Sequence, residues 1–121
     1  MEWLIEYWDE LNTLYIKTSG ILTTKDANKM VGDVVAAMSQ YQCVKQIVDH
    51  RKTNLAFTTV DYYQRPNINE QIGISRTWKI AMVFSALDKN TRFMETVFKN
   101  RGYNFHQFSS LEDAKNWIAD E

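Results

Sequence analysis

The stretch that decides the fold is residues 14–38, LYIKTSGILTTKDANKMVGDVVAAM. Residues 14–19 favour a β-strand, because apolar, aromatic and β-branched side chains predominate there. Gly20 is predicted to stop this strand. A helix then begins near Thr23, since Thr23 with Asp26 three residues later resembles a capping box. Apolar side chains recur through the rest of the stretch at helical spacing: Ala27, Met30, Val31, Val34, Val35 and Met38. This succession is typical of the start of a small α/β domain.

Length and composition indicate one domain over residues 1–121, since 45% of the 121 residues are hydrophobic and 24% are charged. The single cysteine, Cys43, leaves no partner for a disulfide within this chain. No secretory signal is visible at the N-terminus, and no apolar run approaches the roughly 20 residues that span a bilayer. We therefore expect a cytoplasmic protein with no integral membrane segment. Residues 51–101 carry nine basic and four acidic side chains, but their scatter predicts no nucleic-acid partner.

The first half of the chain contains further signals. Residues 3–8 and 13–19 are predicted to form a hairpin, and Val44 to Val48 a further strand that ends at Asp49-His50-Arg51. A second helix begins at Thr58, with Asp61 three residues later. Pro66 is expected to break or kink this helix within two turns.

The second half predicts strand, helix, strand and helix. Residues 78–84 are apolar on both faces, as in a central strand between two helix layers. Residues 89–101 form a helix that Gly102 ends, residues 103–108 a last strand, and Ser109 or Ser110 caps a final helix. The order β-β-α-β-α-β-α-β-α predicts an α/β fold. Its mixed, mostly parallel sheet has about five strands, opens with the N-terminal hairpin and is flanked by about four helices on both faces.

This ordered set resembles the STAS-type domains, the fold of bacterial anti-sigma-factor antagonists, and in particular their SpoIIAA-like branch of small stand-alone bacterial proteins. The matching segments are Leu14 to Asp26, Ile47 to Arg51, Thr58 to Asp61, Lys79 to Val83 and Phe108 to Ile118. The resemblance implies a regulatory or binding module more than an enzyme. Phospho-regulated members carry a serine in an Asp-Ser-Ser-Gly-like motif at the start of the second helix. Here that stretch is Phe57-Thr58-Thr59-Val60-Asp61, which has hydroxyl groups but lacks the motif.

Asp49, His50 and Arg51 are the first candidate site, because open α/β sheets bind ligands at the carboxyl ends of their parallel strands. Together with Thr58 and Tyr62 they are predicted to bind a small apolar or anionic ligand, since they offer a carboxylate, an imidazole and a guanidinium. The structural alternative is that Asp49 caps the following loop while Arg51 makes a surface ion pair.

Thr58 and Thr59 are the second candidate site, as acceptors of a phosphoryl group, because a helix N-terminus favours negative charge. A plain helix cap needs the same residue types at the same place, so both interpretations stand.

Metal and cofactor sites are not indicated. His50 and His106, the only two histidines, lie on different predicted strands. GxGxxG, P-loop and GxSxG patterns do not occur, so the sequence predicts no bound cofactor.

The leading hypothesis is a non-enzymatic regulatory or small-ligand-binding module. The alternative is a phospho-switched protein-interaction domain that binds a regulatory protein partner, with Thr58 or Thr59 as acceptor. An enzyme would depend on His50 as a general base, which Asp49 cannot easily orient, because neighbouring strand residues point to opposite faces.

Trp3 and Trp8 are expected on opposite faces of the first strand, so one of them needs cover. We expect a homodimer, if one forms, to use the face that carries Trp8. The alternative is a monomer in which the C-terminal helix covers Trp8.

Overall fold

The computed structural model describes residues 1–120, in which strands and helices alternate after an opening hairpin. The elements in chain order are β1 (Glu2–Trp8), β2 (Thr13–Leu22), α1 (Thr24–Tyr41), β3 (Lys45–Leu55), α2 (Thr59–Ile72), β4 (Lys79–Val83), α3 (Lys89–Asn100), β5 (Asn104–Phe108) and α4 (Leu111–Ala119). A short 3₁₀ turn, Asp9–Leu11, joins β1 to β2. The predicted element order and the mixed sheet flanked by four helices are therefore confirmed.

The sheet has the strand order β1-β2-β3-β4-β5, with β1 antiparallel to β2 and all other pairs parallel. Each crossover from β2 to β5 therefore moves one strand in the same direction. Because such crossovers are right-handed, α1, α2 and α3 lie together on one face of the sheet. Of the helices within residues 1–120, only α4, which follows the last strand, packs on the other face.

The core is accordingly divided into two unequal layers. The larger layer packs α1, α2 and α3 on the sheet and includes Leu14, Ile16, Val34, Met38, Val48, Ile80, Met94, Phe98 and Phe105. The smaller layer packs α4 on the sheet and includes Tyr15, Ile47, Ala81, Val83, Ala114 and Ile118. The interior strand β4 contributes to both layers, as its apolar sequence predicts.

The β2 strand continues past Gly20 to Leu22, so the predicted stop at Gly20 is wrong. A register shift between Lys17 and Ser19 lets the strand continue, and Ser19 to Leu22 then pair in parallel with Lys52 to Leu55 of β3. Gly20 accommodates this path with a φ of +97°. The β2–β3 pair thus extends beyond the end of β4.

The α2 helix passes through Pro66 and ends only at Ile72, so the predicted break at this residue is wrong. Pro66 cannot donate a backbone hydrogen bond, which costs an isolated helix about 3 kcal/mol. The helix persists because its buried face, Tyr62, Arg65 and Pro66, packs within the larger layer. The Tyr103 hydroxyl also donates a hydrogen bond to the Pro66 carbonyl at 3.3 Å.

Replacement of Gly73, which ends α2, should be destabilising. Gly73 has a φ of +134°, and a Cβ atom there would lie 2.9 Å from Val35 Cγ1. We expect Gly73→Ala to lower the free energy of unfolding by about 1 to 2 kcal/mol, measured by urea denaturation. The matched control is Gly32→Ala within α1, where a Cβ meets nothing within 4 Å. That variant should gain up to about 1 kcal/mol from helix propensity. Equal stabilities for the two variants would contradict the prediction.

Candidate functional site

Asp49, His50 and Arg51 lie within β3 and not at its end, so the predicted strand end is wrong. Strand β4 does stop there, since Val83 is the register partner of Asp49, but β3 continues to Leu55 because β2 continues beside it. Consecutive strand residues point to opposite faces. Asp49 and Arg51 therefore share the face that carries α4, and His50 points to the face that carries α1, α2 and α3.

The Asp49 carboxylate is buried and fully occupied by hydrogen bonds. It accepts from the Tyr15 hydroxyl at 2.5 Å and from the Arg51 guanidinium at 2.9 Å (Nε) and 2.8 Å (Nη2). The Arg51 backbone N–H donates to it as well, at 3.1 Å. Burial alone would raise the pKa of the Asp49 carboxyl, but the hydrogen bonds from Arg51 and Tyr15 outweigh it and hold the pKa below its usual value. Arg51 therefore forms an ion pair, as the structural alternative expects, but its partner is Asp49, which lies within β3 and caps no loop.

His50 is buried on the opposite face, where its exposed fraction is 3%. Its Nδ1 lies 2.6 Å from Thr18 Oγ1, which is also 3.1 Å from the Asp49 carbonyl oxygen and 2.5 Å from Thr53 Oγ1. Burial lowers the pKa of His50 to about 4, with the Asp49 charge acting weakly in the opposite direction. A threonine therefore orients the ring, and the Asp49 carboxylate does not contact it.

The cavity that His50 lines lies inside the larger layer and has a volume of about 60 Å³. Its walls are mainly apolar and come from the sheet and from all three helices: Leu22, Ala27, Met30, Val31, Val34, Val48, Leu55, Phe57, Ile74, Ile80, Met82, Met94, Phe98 and Phe105. Gln46, His50, Arg65 and Asn69 are the polar residues that line it. An apolar cavity with a few polar groups is the general form of a small-molecule site.

Sequence reasoning missed Gln46 and Arg65, although the pattern contains a signal for each. Every second residue of β3 points to the same buried face, and Gln46, Val48 and His50 are three such residues. Two polar side chains therefore share that face with the apolar Val48. Arg65 lies three residues after Tyr62, which places both on the buried face of α2. A polar residue at a core position of an otherwise apolar pattern indicates a site or a hydrogen-bonded network.

Thr58 is the N-cap of α2 in a complete capping box. Its hydroxyl accepts from the Asp61 backbone N–H at 3.2 Å, and the Asp61 carboxylate accepts from the Thr58 N–H at 2.8 Å. Thr59, the first helical residue, is exposed. Tyr62 is buried and packs edge-on against Phe57, so it does not form an exposed wall of a crevice. Thr58 therefore lies on the face of the sheet that carries α2. Asp49 and Arg51 form their ion pair on the opposite face, so the structure does not bring these three residues together.

Exposed apolar side chains follow directly on these threonines. Val60 is 60% exposed and Tyr63 is 56% exposed. The Arg101 guanidinium lies 5.5 Å from the Tyr63 ring centre. We call the patch formed by Thr58, Thr59, Val60 and Tyr63 the α2 surface.

Trp8 lies on the face of α4, and its own chain covers part of it. The indole stacks on the Tyr15 ring at 4.2 Å between ring centres, and Lys115 Nζ of α4 lies 5.0 Å above it. Trp3 lies on the opposite face, where its Nε1 donates to the Asp33 carboxylate at 3.0 Å. The contact with α4 is the one expected for a monomer, and a homodimer through Trp8 stays a prediction.

Residues 1–120 contain neither a metal-site cluster nor a membrane-spanning helix. No three side chains of His, Cys, Asp or Glu in this range converge as a metal site would require. None of the helices in the same range is long and apolar enough to cross a membrane.

Comparison with known proteins supports the fold. No family model matches the sequence, and no curated protein matches it. Solved structures do match over nearly the whole chain. An anti-sigma factor antagonist from Mycobacterium paratuberculosis superposes with a TM-score of 0.68 at 16% identity, covering 98% of this chain and 94% of that one. An uncharacterised DUF3478-family protein with a SpoIIAA-like fold from Shewanella loihica gives 0.62 at 16% identity, covering 97% and 92%.

The anti-sigma factor antagonist SpoIIAA in its unphosphorylated form is a third match, with a TM-score of 0.59 at 13% identity, covering 99% of this chain and all of that one (100%). This chain therefore has the SpoIIAA-like fold of the STAS-type domains, as the sequence predicts. At these identities the likeness establishes the fold alone.

Proposed function

We propose that this protein is a non-enzymatic regulatory domain that binds a protein partner through the α2 surface. The observation that carries the proposal is the exposure of Val60 and Tyr63 beside the two threonines at the start of α2. Adjacent exposed apolar and aromatic side chains favour a protein contact. Two proteins of the same fold are themselves anti-sigma factor antagonists, which supports a regulatory partner for this chain as well.

A phosphoryl switch on this surface is the second part of the proposal, and the contacts favour Thr59 as the acceptor. The Thr58 hydroxyl is held in the capping box, where the Asp61 carboxylate lies against the Thr58 backbone N–H and would repel a phosphate. The Thr59 side chain is exposed at the positive end of the helix dipole, where a phosphate is stabilised. A charge of nearly −2 beside Val60 would then change which partner surface fits.

Crosslinking in the cell, followed by affinity measurements on variants, tests both parts of the proposal. A photo-crosslinking amino acid at position 63 should capture the partner in the source cell, while the same group at position 44 should not. Val44 is 54% exposed and lies before β3, outside the α2 surface, so it provides the control. With the captured partner purified, Val60→Asp should weaken binding by about tenfold or more, and Val44→Asp should leave it unchanged. Thr59→Glu, which adds a negative charge at the acceptor position, should change the affinity much more than Thr59→Ala does.

Equal crosslinking at positions 44 and 63, or wild-type binding by Val60→Asp, would refute the α2 surface as the partner site. The phosphoryl switch fails separately. It is refuted if mass spectrometry of the protein from its source cell finds Thr58 and Thr59 unmodified and Thr59→Glu binds like the wild type.

A further inference from the structure

Part of the sheet face that carries α4 has no helix above it. The α4 helix packs mainly on β3, β4 and β5, so most of β1 and the second halves of β2 and β3 lie outside its cover. Leu4 points to this uncovered part, because its neighbour Ile5 packs in the larger layer. Ile21 does the same, because its neighbour Leu22 lines the cavity of that layer. Leu4 is 55% exposed and Ile21 is 61% exposed. We call this area the open sheet face, and its residues are Glu2, Leu4, Glu6, Lys17, Ser19, Ile21 and Lys52.

The charges on the open sheet face are divided by strand. Glu2 and Glu6 lie on β1, whereas Lys17 lies on β2 and Lys52 lies on β3. All four side chains are exposed. None of the ion pairs within residues 1–120 includes any of them. One side of this face is therefore acidic and the other is basic, and both sides can pair with opposite charges on a partner.

The strand register places an acidic and a basic group at the same height. Glu2 is the register partner of Ser19, and Ser19 is the register partner of Lys52, so these three residues lie in one row across the sheet. A two-fold axis that runs along β2 exchanges the two ends of such a row. It places Glu2 of one copy over Lys52 of the other, and the pair forms twice. A two-fold axis across the strands would instead place the acidic strand over itself.

We propose that the open sheet face binds a second copy of this chain in a two-fold, face-to-face dimer. Ile21 meets the partner's Ile21, because β2 lies along the axis. Leu4 shares a row with Lys17 and Asp49, so it covers the ion pair between the partner's Asp49 and the partner's Arg51. The two large apolar side chains that the monomer exposes on this face are thereby removed from water.

The second lysine and the α4 helices complete the interface. Glu2 and Glu6 each lie two residues from Leu4, the register partner of Lys17. The two Lys17 side chains approach the axis and diverge from it, each towards a carboxylate on β1 of the partner. Facing sheets lie about 10 Å apart, which is close to the diameter of a helix. Each α4 therefore lies beside β1 of the partner and covers its free edge, which would otherwise be open to pairing with another strand.

A second copy fits this face better than an anionic membrane does. Lys17 and Lys52 would be attracted to such a membrane, but Glu2 and Glu6 would be repelled by it. A second copy instead pairs the carboxylates with the lysines. The open sheet face lies on the side of the sheet opposite to α2, so the dimer leaves the α2 surface of both copies accessible. The proposal is therefore independent of the proposed function.

Sedimentation equilibrium of the full chain at increasing concentration is the test. The face measures roughly 14 by 20 Å, from three strands about 4.8 Å apart and a rise of about 3.3 Å over about six residues. An interface of this size is at the weak end of specific interfaces. The average mass should therefore equal 14.2 kDa at low concentration and approach twice that value only near about 1 mM. Added sodium chloride should lower the average mass, because it screens the charged pairs.

Charge reversal tests the pairing of Glu2 with Lys52. Lys52→Glu should weaken dimerisation by about tenfold, because the change acts at both ends of a two-fold interface and replaces attraction with repulsion. Glu2→Lys should have a similar effect. The double variant Glu2→Lys/Lys52→Glu should restore the wild-type affinity to within about threefold, since the pair is re-formed with its signs exchanged. Lys29→Glu, at an exposed position of α1 on the other face, is the matched control and should leave the affinity unchanged.

A second pair of variants tests the apolar contact. Ile21→Asp should weaken dimerisation by about tenfold or more, because it places two carboxylates together near the axis. Val44→Asp makes the same kind of change at an exposed residue outside the open sheet face and should have no effect. Since Ile21 and Val44 are both exposed, neither substitution removes a contact of the core.

Four results would overturn the proposal. A wild-type chain that stays monomeric up to about 1 mM has no such dimer. A dimer retained by both Ile21→Asp and Lys52→Glu uses another face. Losses in Glu2→Lys and Lys52→Glu that add in the double variant contradict the two-fold pairing. Binding of the monomer to vesicles of anionic lipid, abolished by Lys52→Glu, assigns the face to a membrane. The crosslinking experiment at position 63 would be unaffected by any of these results.

Discussion

Acidification from about pH 7.5 to about pH 4.5 is expected to lower the free energy of unfolding by about 2.5 kcal/mol through His50 alone. The unfolded chain binds a proton at an ordinary histidine pKa of about 6.5. In the folded protein burial holds the pKa of His50 at about 4, so the folded state stays unprotonated over most of this interval. The unfolded state therefore binds more protons, and stability falls as the pH decreases from about 6.5 towards 4.

The measurement is a series of urea denaturation curves across this pH range for the wild type and two variants. His50→Gln should flatten the pH dependence between about pH 6.5 and 4.5, whatever its stability near neutrality. His106→Gln is the matched control, because His106 is the only other histidine and is only partly buried; it should keep the slope of the wild type. Identical slopes for all three proteins would show that His50 gains its proton in the folded state as readily as in the unfolded one.

The parts of the fold that follow from local chemistry could be predicted from the sequence. Thr23, Thr58 and Ser110 all accept a hydrogen bond from a backbone N–H in the first turn of the helices they cap. Gly102 follows α3 with a φ of +85°, as its position at the helix end predicts. The alternation of strands and helices then determines a mostly parallel sheet, because each parallel neighbour needs a crossover.

The errors arise where a tertiary contact outweighs a local signal. Gly20 and Pro66 both favour a break, and both lie inside continuous elements because a neighbouring strand or the core supplies the missing contacts. The predicted end of β3 at Arg51 is too early for the same reason, since β2 extends alongside β3 to Leu22. Such contacts depend on strand register and helix packing, which local patterns do not specify.

The cavity could not be predicted from the sequence, because its polar groups come from two elements that are distant in the chain. Gln46 and His50 share a face of β3, and Arg65 lines the same cavity only because α2 packs on that face of the sheet. Local sequence patterns instead predict one site from three neighbouring residues, Asp49, His50 and Arg51. Strand geometry divides these three between a partly exposed ion pair and the cavity.

The largest mutational effect is expected at that ion pair. Arg51→Met should lower the free energy of unfolding by about 2 to 3 kcal/mol near neutral pH, because the buried Asp49 carboxylate loses its counter-ion. The value lies below that of a fully buried pair, since the Arg51 side chain is 41% exposed and water solvates it in part. The matched control is Arg76→Met, which breaks the exposed pair with Glu70 and should cost about 0.5 kcal/mol or less.

A second substitution distinguishes a structural ion pair from a ligand site. Asp49→Asn keeps an acceptor for the Tyr15 hydroxyl but removes the buried charge. The double variant Asp49→Asn/Arg51→Met should therefore be more stable than Arg51→Met alone, as measured by urea denaturation. Additive losses would contradict this account. Since Tyr15 and Arg51 already satisfy the carboxylate, a stabilising coupling would mean that Asp49 and Arg51 form a structural ion pair that holds β3 in place.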